Sequence, residues 1–66
     1  MGKTKQLIDT LIAKRAKGVE YLEINTRMKL LMKGIDAKKI TLDTPDDTRL
    51  IDKIYQVAKE LNVSLD

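Results

Sequence analysis

Neither cysteine nor histidine occurs in the 66 residues of this chain, and tryptophan and phenylalanine are missing as well. Without cysteine there is no disulfide framework, no thiolate zinc site and no thiol chemistry. Without histidine the commonest metal ligand and the commonest general base near neutral pH are gone together. The lack of cysteine fits a reducing compartment, and the expected location is cytoplasmic. No run approaches the roughly 18 apolar residues of a membrane span, and no signal-peptide core stands near the N-terminus, so no membrane partner is expected. The start Met1-Gly2-Lys3-Thr4-Lys5-Gln6 has Gln6 where N-myristoylation wants Ser or Thr.

What is present must carry the fold. Aromatic residues are limited to Tyr21 and Tyr55, so the core is aliphatic, drawn from nine Leu, seven Ile, three Val and three Met with four Ala. A composition 42% hydrophobic and 35% charged is that of a folded domain rather than a disordered tail. At this length only about 60% of the unfolded chain's surface is buried on folding. Residues 1–66 are therefore expected to form a single thin-cored domain that leans on regular helix packing or on self-association.

Three segments have helical periodicity. In the first, Thr4 to Lys17, the residues Leu7, Ile8, Leu11 and Ile12 share one side, with Lys5, Asp9, Lys14 and Arg15 elsewhere around the wheel. Lys14, Arg15 and Lys17 suit the negative pole at its end, and Gly18 suits a left-handed cap with Val19 behind it. In the second, Glu20 to Lys33, the residues Tyr21, Ile24, Met28, Leu31 and Ile35 are spaced 3, 4, 3 and 4 apart, which predicts them as the buried stripe. Gly34 and Ile35 repeat the Gly18-Val19 ending. In the third, 45–61, Thr44 is placed as cap, Pro45 in the first turn, and Asp46 and Asp47 at the positive pole. Leu50, Ile54, Val57 and Leu61 form its stripe, widened by Ile51, Tyr55 and Ala58. Asn62 is its stop, with Val63 and Leu65 folding back.

Between the second and third segments, Ile35, Ala37, Ile40 and Leu42 make a connector apolar enough to be pinned across the helices, with Asp36 placed to cap one turn. The expected fold is all-α. It is a small three-helix bundle with helices at about 4–17, 20–33 and 45–61 and an ordered connector at 35–44. Val19, Tyr21, Leu22 and Ile24 are also good strand formers, and Ile40-Thr41-Leu42 alternates. The alternative is thus an α+β fold with short strands near 19–24 and 39–42.

The motifs with chemical potential have plainer explanations. Asp43, Asp46 and Asp47 are oxygen ligands in principle, and a third reading makes the chain an enzyme accessory subunit whose acids help hold a metal. The calcium-loop pattern would need further acids, a glycine and a terminal Glu, so helix capping is the expected role and no metal site is assigned. Gly2-Lys3-Thr4 matches the end of a phosphate-binding loop without the upstream glycine and strand that give it meaning. Ser64 has no histidine to activate it, and three short helices do not enclose the cleft that a pair of catalytic carboxylates needs. The expectation is a non-enzymatic protein without cofactor or catalytic residues.

The run Ala58-Lys59-Glu60-Leu61-Asn62-Val63-Ser64 resembles the first helix and turn of DNA-binding helix-turn-helix units, in which Ala packs and Gly or Asn makes the turn. The resemblance spans about seven residues, and a recognition helix would have to follow it. No such helix fits before Asp66, so the run is expected to act as a helix end.

Charge and surplus apolar residues point to partners. Residues 1–40 carry ten Lys and Arg against four acids, whereas residues 41–66 carry three against six. The basic set is Lys14, Arg15, Lys17, Arg27, Lys29, Lys33, Lys38 and Lys39. Antiparallel packing of the first two helices would send their basic C-terminal clusters to opposite ends of the bundle. Of the set, Arg27, Lys29, Lys33, Lys38 and Lys39 are the candidates for nucleic-acid phosphates, although aromatic platforms for stacking bases are nearly absent. Leu22, Leu30 and Met32 fall off the main stripe of the second helix, and a helix apolar on more than one side must bury both. The leading expectation is a helical module for protein–protein interaction or homo-oligomerisation, with Tyr21, Leu22, Leu30, Met32 and Ile40 as contact residues. The alternative is a small nucleic-acid-associated protein.

Overall fold

The computed structural model describes residues 2–65 and measures 29 × 21 × 20 Å. It is an all-α bundle of α1 (Lys3–Ala16), α2 (Glu20–Met32) and α3 (Thr48–Glu60), with one 3-10 turn at Ala37–Lys39 in the connector. There is no strand among the described residues, so the α+β alternative is overturned. Residues 20–24 lie in the first turns of α2, and residues 39–42 run through the end of the 3-10 turn into further turns. No helix among the described residues is long and apolar enough to cross a membrane.

The central element is α1, which packs against both other helices. Leu7, Ile8, Leu11 and Ile12 are buried as their spacing predicts, together with Thr4 and Ala16. Opposite them stand Leu30 of α2, Ile35 of the connector, and Ile54, Val57 and Ala58 of α3. Leu50, Ile51, Leu61, Val63 and Leu65 close the rim of this core half-buried, and Tyr55 stays outside.

Two helix ends follow the same physical rule. After α2, Gly34 takes a left-handed conformation (φ +85°), the Ile35 N–H donates to the Leu30 carbonyl at 2.9 Å, and the Gly34 N–H donates to the Leu31 carbonyl. This is the paired-bond ending in which the apolar residue beyond the turn falls back on the last inward-facing residue of the helix. After α3, Asn62 (φ +57°) takes the glycine's place, and the Val63 N–H reaches the Ala58 carbonyl at 2.8 Å. The end of α1 differs from expectation, because Lys17 as well as Gly18 is left-handed and Val19 stays exposed.

The start of α3 lies later than its sequence suggests. Thr44 does not cap it: its hydroxyl accepts from the Thr41 N–H at 2.9 Å and closes a turn in the connector. Asp47 is the cap, accepting from the Arg49 N–H at 2.8 Å, and the helix begins at Thr48. Asp46 is drawn away to another helix. Its Oδ1 accepts the Thr4 backbone N–H at 3.0 Å and the Thr4 hydroxyl at 3.1 Å, capping the first turn of α1 from across the bundle. Gly2, at the head of α1, has no side chain to do so, and Leu42 of the connector packs over it. The expected turn in the connector does form, with the Asp36 side chain accepting from the Lys38 N–H at 3.0 Å.

The contact with Thr4 makes Asp46 an acid-sensitive clasp. The Thr4 backbone N–H is the main cause that holds its carboxyl below the ordinary aspartate value of 3.8; desolvation opposes it, and the Thr4 hydroxyl adds to the lowering. A carboxyl whose pKa is depressed on folding stabilises the fold above its unfolded value, and that contribution disappears as pH falls through the folded value. Thermal melts of the natural protein and of Asp46→Asn from about pH 6 to about pH 2 should therefore converge at the acid end, with the natural protein ahead only above it. Parallel curves across the range would show that the clasp is not formed.

Candidate functional site

The surface most in need of a function is the outer side of α2. Tyr21, Ile24, Met28 and Leu31 follow one another at helical spacing and are 49–66% exposed. Sequence periodicity assigns this stripe to the core, and that assignment is corrected here: of the five residues in it, only Ile35 is buried. The helix instead turns Leu30 and Thr26 inward, at 0% and 2% exposed, with Leu22 half-buried beside them. Thr26 tolerates burial because its hydroxyl donates to the Leu22 carbonyl at 2.7 Å, which leaves no orphaned polar atom.

The cause of the inversion is the turn at Gly34. The spacing from Leu31 to Ile35 has meaning only if the helix continues, and it ends at Met32. The left-handed turn reverses the chain and lays Ile35 on Leu30. A Gly-Ile pair after a helix carries that signal in the sequence, since the rule for this ending pairs the residue beyond the turn with the third residue from the helix end.

The five expected contact residues therefore separate. Leu30 is a core residue and cannot meet a partner. Leu22 is half-buried on the inward side, and Ile40 is half-buried against the core, beside Ile8 and Ile12. Tyr21 and Met32 are on the surface, Met32 at 81% exposed. Ile24, Met28 and Leu31, which sequence reasoning placed inside, complete the outer face.

Along this face runs an open hollow of about 360 Å³, floored by Ile24, Met28, Leu31 and Ala37 and edged by Arg27, Asp36 and Lys38. The 3-10 turn forms its far wall, so the connector and α2 build the groove together. On the other side of α2 a shallower hollow of about 280 Å³ brings Met28 and Met32 near Leu61.

The phosphate-binding set is divided by the same geometry. Lys29 and Lys33 both face α3, where Glu60 meets them at 3.7 and 3.5 Å. Arg27 and Lys38 lie on the opposite flank of α2 and border two hollows together. Lys39 is exposed on the 3-10 turn. The set is thus two groups on different sides of one helix, one of them already facing a carboxylate. Among the described residues no cluster of three or more metal-ligating side chains forms, and Asp46 and Asp47 serve different helix ends. The Ala58–Ser64 run is the end of α3 and the reversal after it.

Comparison with protein-family models, with curated proteins and with solved structures returns no match.

Adjacent leucines test the orientation of α2 directly. Leu30→Ala should cost about 2–5 kcal/mol of unfolding free energy, the usual loss for a buried leucine. Leu31→Ala should stay within about 0.5 kcal/mol, as surface substitutions do. Urea unfolding of the two variants would decide it, and the reverse order of costs would restore the stripe predicted from sequence to the core.

Proposed function

We propose that this chain is a non-enzymatic helical interaction module whose outer α2 face is covered by another protein surface. The single observation that supports this is the exposed run of Tyr21, Ile24, Met28 and Leu31 on one side of a helix whose other side already packs the core. An isolated apolar residue on a surface needs no explanation, whereas a contiguous apolar patch on a chain this small marks an interaction site. Met28 and Met32 suit such a contact, because an unbranched thioether adapts to an irregular partner. A second copy and a different protein both satisfy the apolar requirement.

Nucleic-acid binding is the weaker reading. Phosphate affinity grows with the number of cations that track one backbone, and here the pairing of Lys29 and Lys33 with Glu60 leaves Arg27, Lys38 and Lys39 as the coherent group.

A photo-crosslinking residue at Met28, set against one at Gln56 on the exposed side of α3, would test the reading in the native host. Discrete protein adducts are expected at Met28 alone, and Leu31→Asp should remove them. Adducts of equal yield at both positions, or none at Met28, would defeat the proposal. Light scattering with a mixed DNA and RNA oligonucleotide pool at low and high salt completes the test. A mass gain confined to low salt would transfer the function to the basic residues.

A further inference from the structure

We infer that the partner on this face is an amphipathic helix of a different protein with carboxylates beside its apolar stripe, received in the groove between α2 and the 3-10 turn. This rests on the reading of the outer α2 face as an interaction surface, and adds the partner's chemistry to it.

The shape and size of the surface favour a helix. The groove is open and floored by Ile24, Met28, Leu31 and Ala37, apolar residues about one helical turn apart on α2 of the kind that take up a partner helix. With Tyr21 and Met32 at its ends the exposed apolar face amounts to on the order of 600 Å², near the about 800 Å² that each partner contributes to a standard interface.

Charge selects among helices. Arg27 and Lys38 edge the groove, and neither is in an ion pair among the described residues. The Asp36 carboxylate lines the same groove and accepts the Lys38 backbone N–H, a bond that leaves its charge in place, and Asp9 across the neighbouring hollow is held by Lys5 at 2.8 Å. A partner helix laid on the floor therefore passes two cations against one carboxylate, an edge with a net positive charge. Such a flank favours Glu or Asp and repels Lys or Arg, which gives specificity more than affinity. The same flank argues against a second copy. Antiparallel two-fold pairing of α2 would set this flank against its own equivalent, and parallel pairing would set it against the flank of Lys29 and Lys33, so cations meet cations either way.

The experiment is selection from a display library of helical peptides with a fixed leucine stripe and flanking positions randomised among Glu, Gln and Lys, counter-selected against the Leu31→Asp variant. Glu should be enriched over Lys on one flank by roughly fivefold, the effect of two exposed ion pairs. The Arg27→Glu, Lys38→Glu double variant should invert the preference, an outcome that a misfolded variant cannot give. Equal recovery of Glu and Lys flanks would overturn the acidic-partner inference while leaving the apolar face as an interaction surface. A dimer by light scattering that Leu31→Asp dissociates would do the same, with a second copy as the occupant. A monomer from which no peptide is recovered would overturn both.

Discussion

The orientation of α2 is set by the turn that ends it. At Gly34 the backbone enters the left-handed region, where a side chain is strained, and the Ile35 N–H is carried back to the Leu30 carbonyl. Leu30 and Ile35 are then buried together at 0% and 1% exposed. Rotating α2 to bury Met28 and Leu31 instead would carry Leu30, and the Ile35 tied to it by the turn, out of the core, which offsets the apolar area gained. The outer face, the groove beside it and the separation of the cations all descend from that one turn.

Much of the architecture was legible in the sequence because α1 and α3 each have a single apolar side. Leu7, Ile8, Leu11 and Ile12 had no competing arrangement, and neither had Ile54 and Val57. In α2 two apolar stripes compete, and periodicity cannot rank them. The regular spacing of Tyr21, Ile24, Met28 and Leu31 looked like a core, whereas the true core side contains Thr26, whose burial depends on a bond to the Leu22 carbonyl that composition does not announce. The candidate site was accordingly read with its sides exchanged. Met32 is on the surface as expected and Leu30 is buried against expectation, while Tyr21, placed both in the predicted core stripe and among the contact residues, is exposed. The start of α3 slipped for a similar reason. Thr44 and Asp46 have the right chemistry for a cap, but a local turn with Thr41 employs the first and a contact across the bundle with Thr4 employs the second.

The uneven charge of the chain gains meaning from the bundle. The acidic half supplies Glu60 to Lys29 and Lys33, and so part of the asymmetry between residues 1–40 and 41–66 is neutralised within the fold. These pairs are partly exposed, and such contacts contribute little to stability. Their larger effect is on the surface that others meet, because they leave Arg27, beside Lys38 of the 3-10 turn, as the cation of α2 outside an ion pair among the described residues.

The bond from Asp46 to Thr4 links residues 42 apart in sequence. Most helices are capped by a neighbour, so their first turn can form before the rest of the chain is in place. Here α1 acquires its cap only once the segment leading into α3 has crossed the bundle, after the entropy of closing that loop has been overcome. The first turn of α1 and the approach to α3 therefore order and fray as one unit. Opening at either place is felt at the other, which joins the head of the first helix and the entry to the third into one cooperative element.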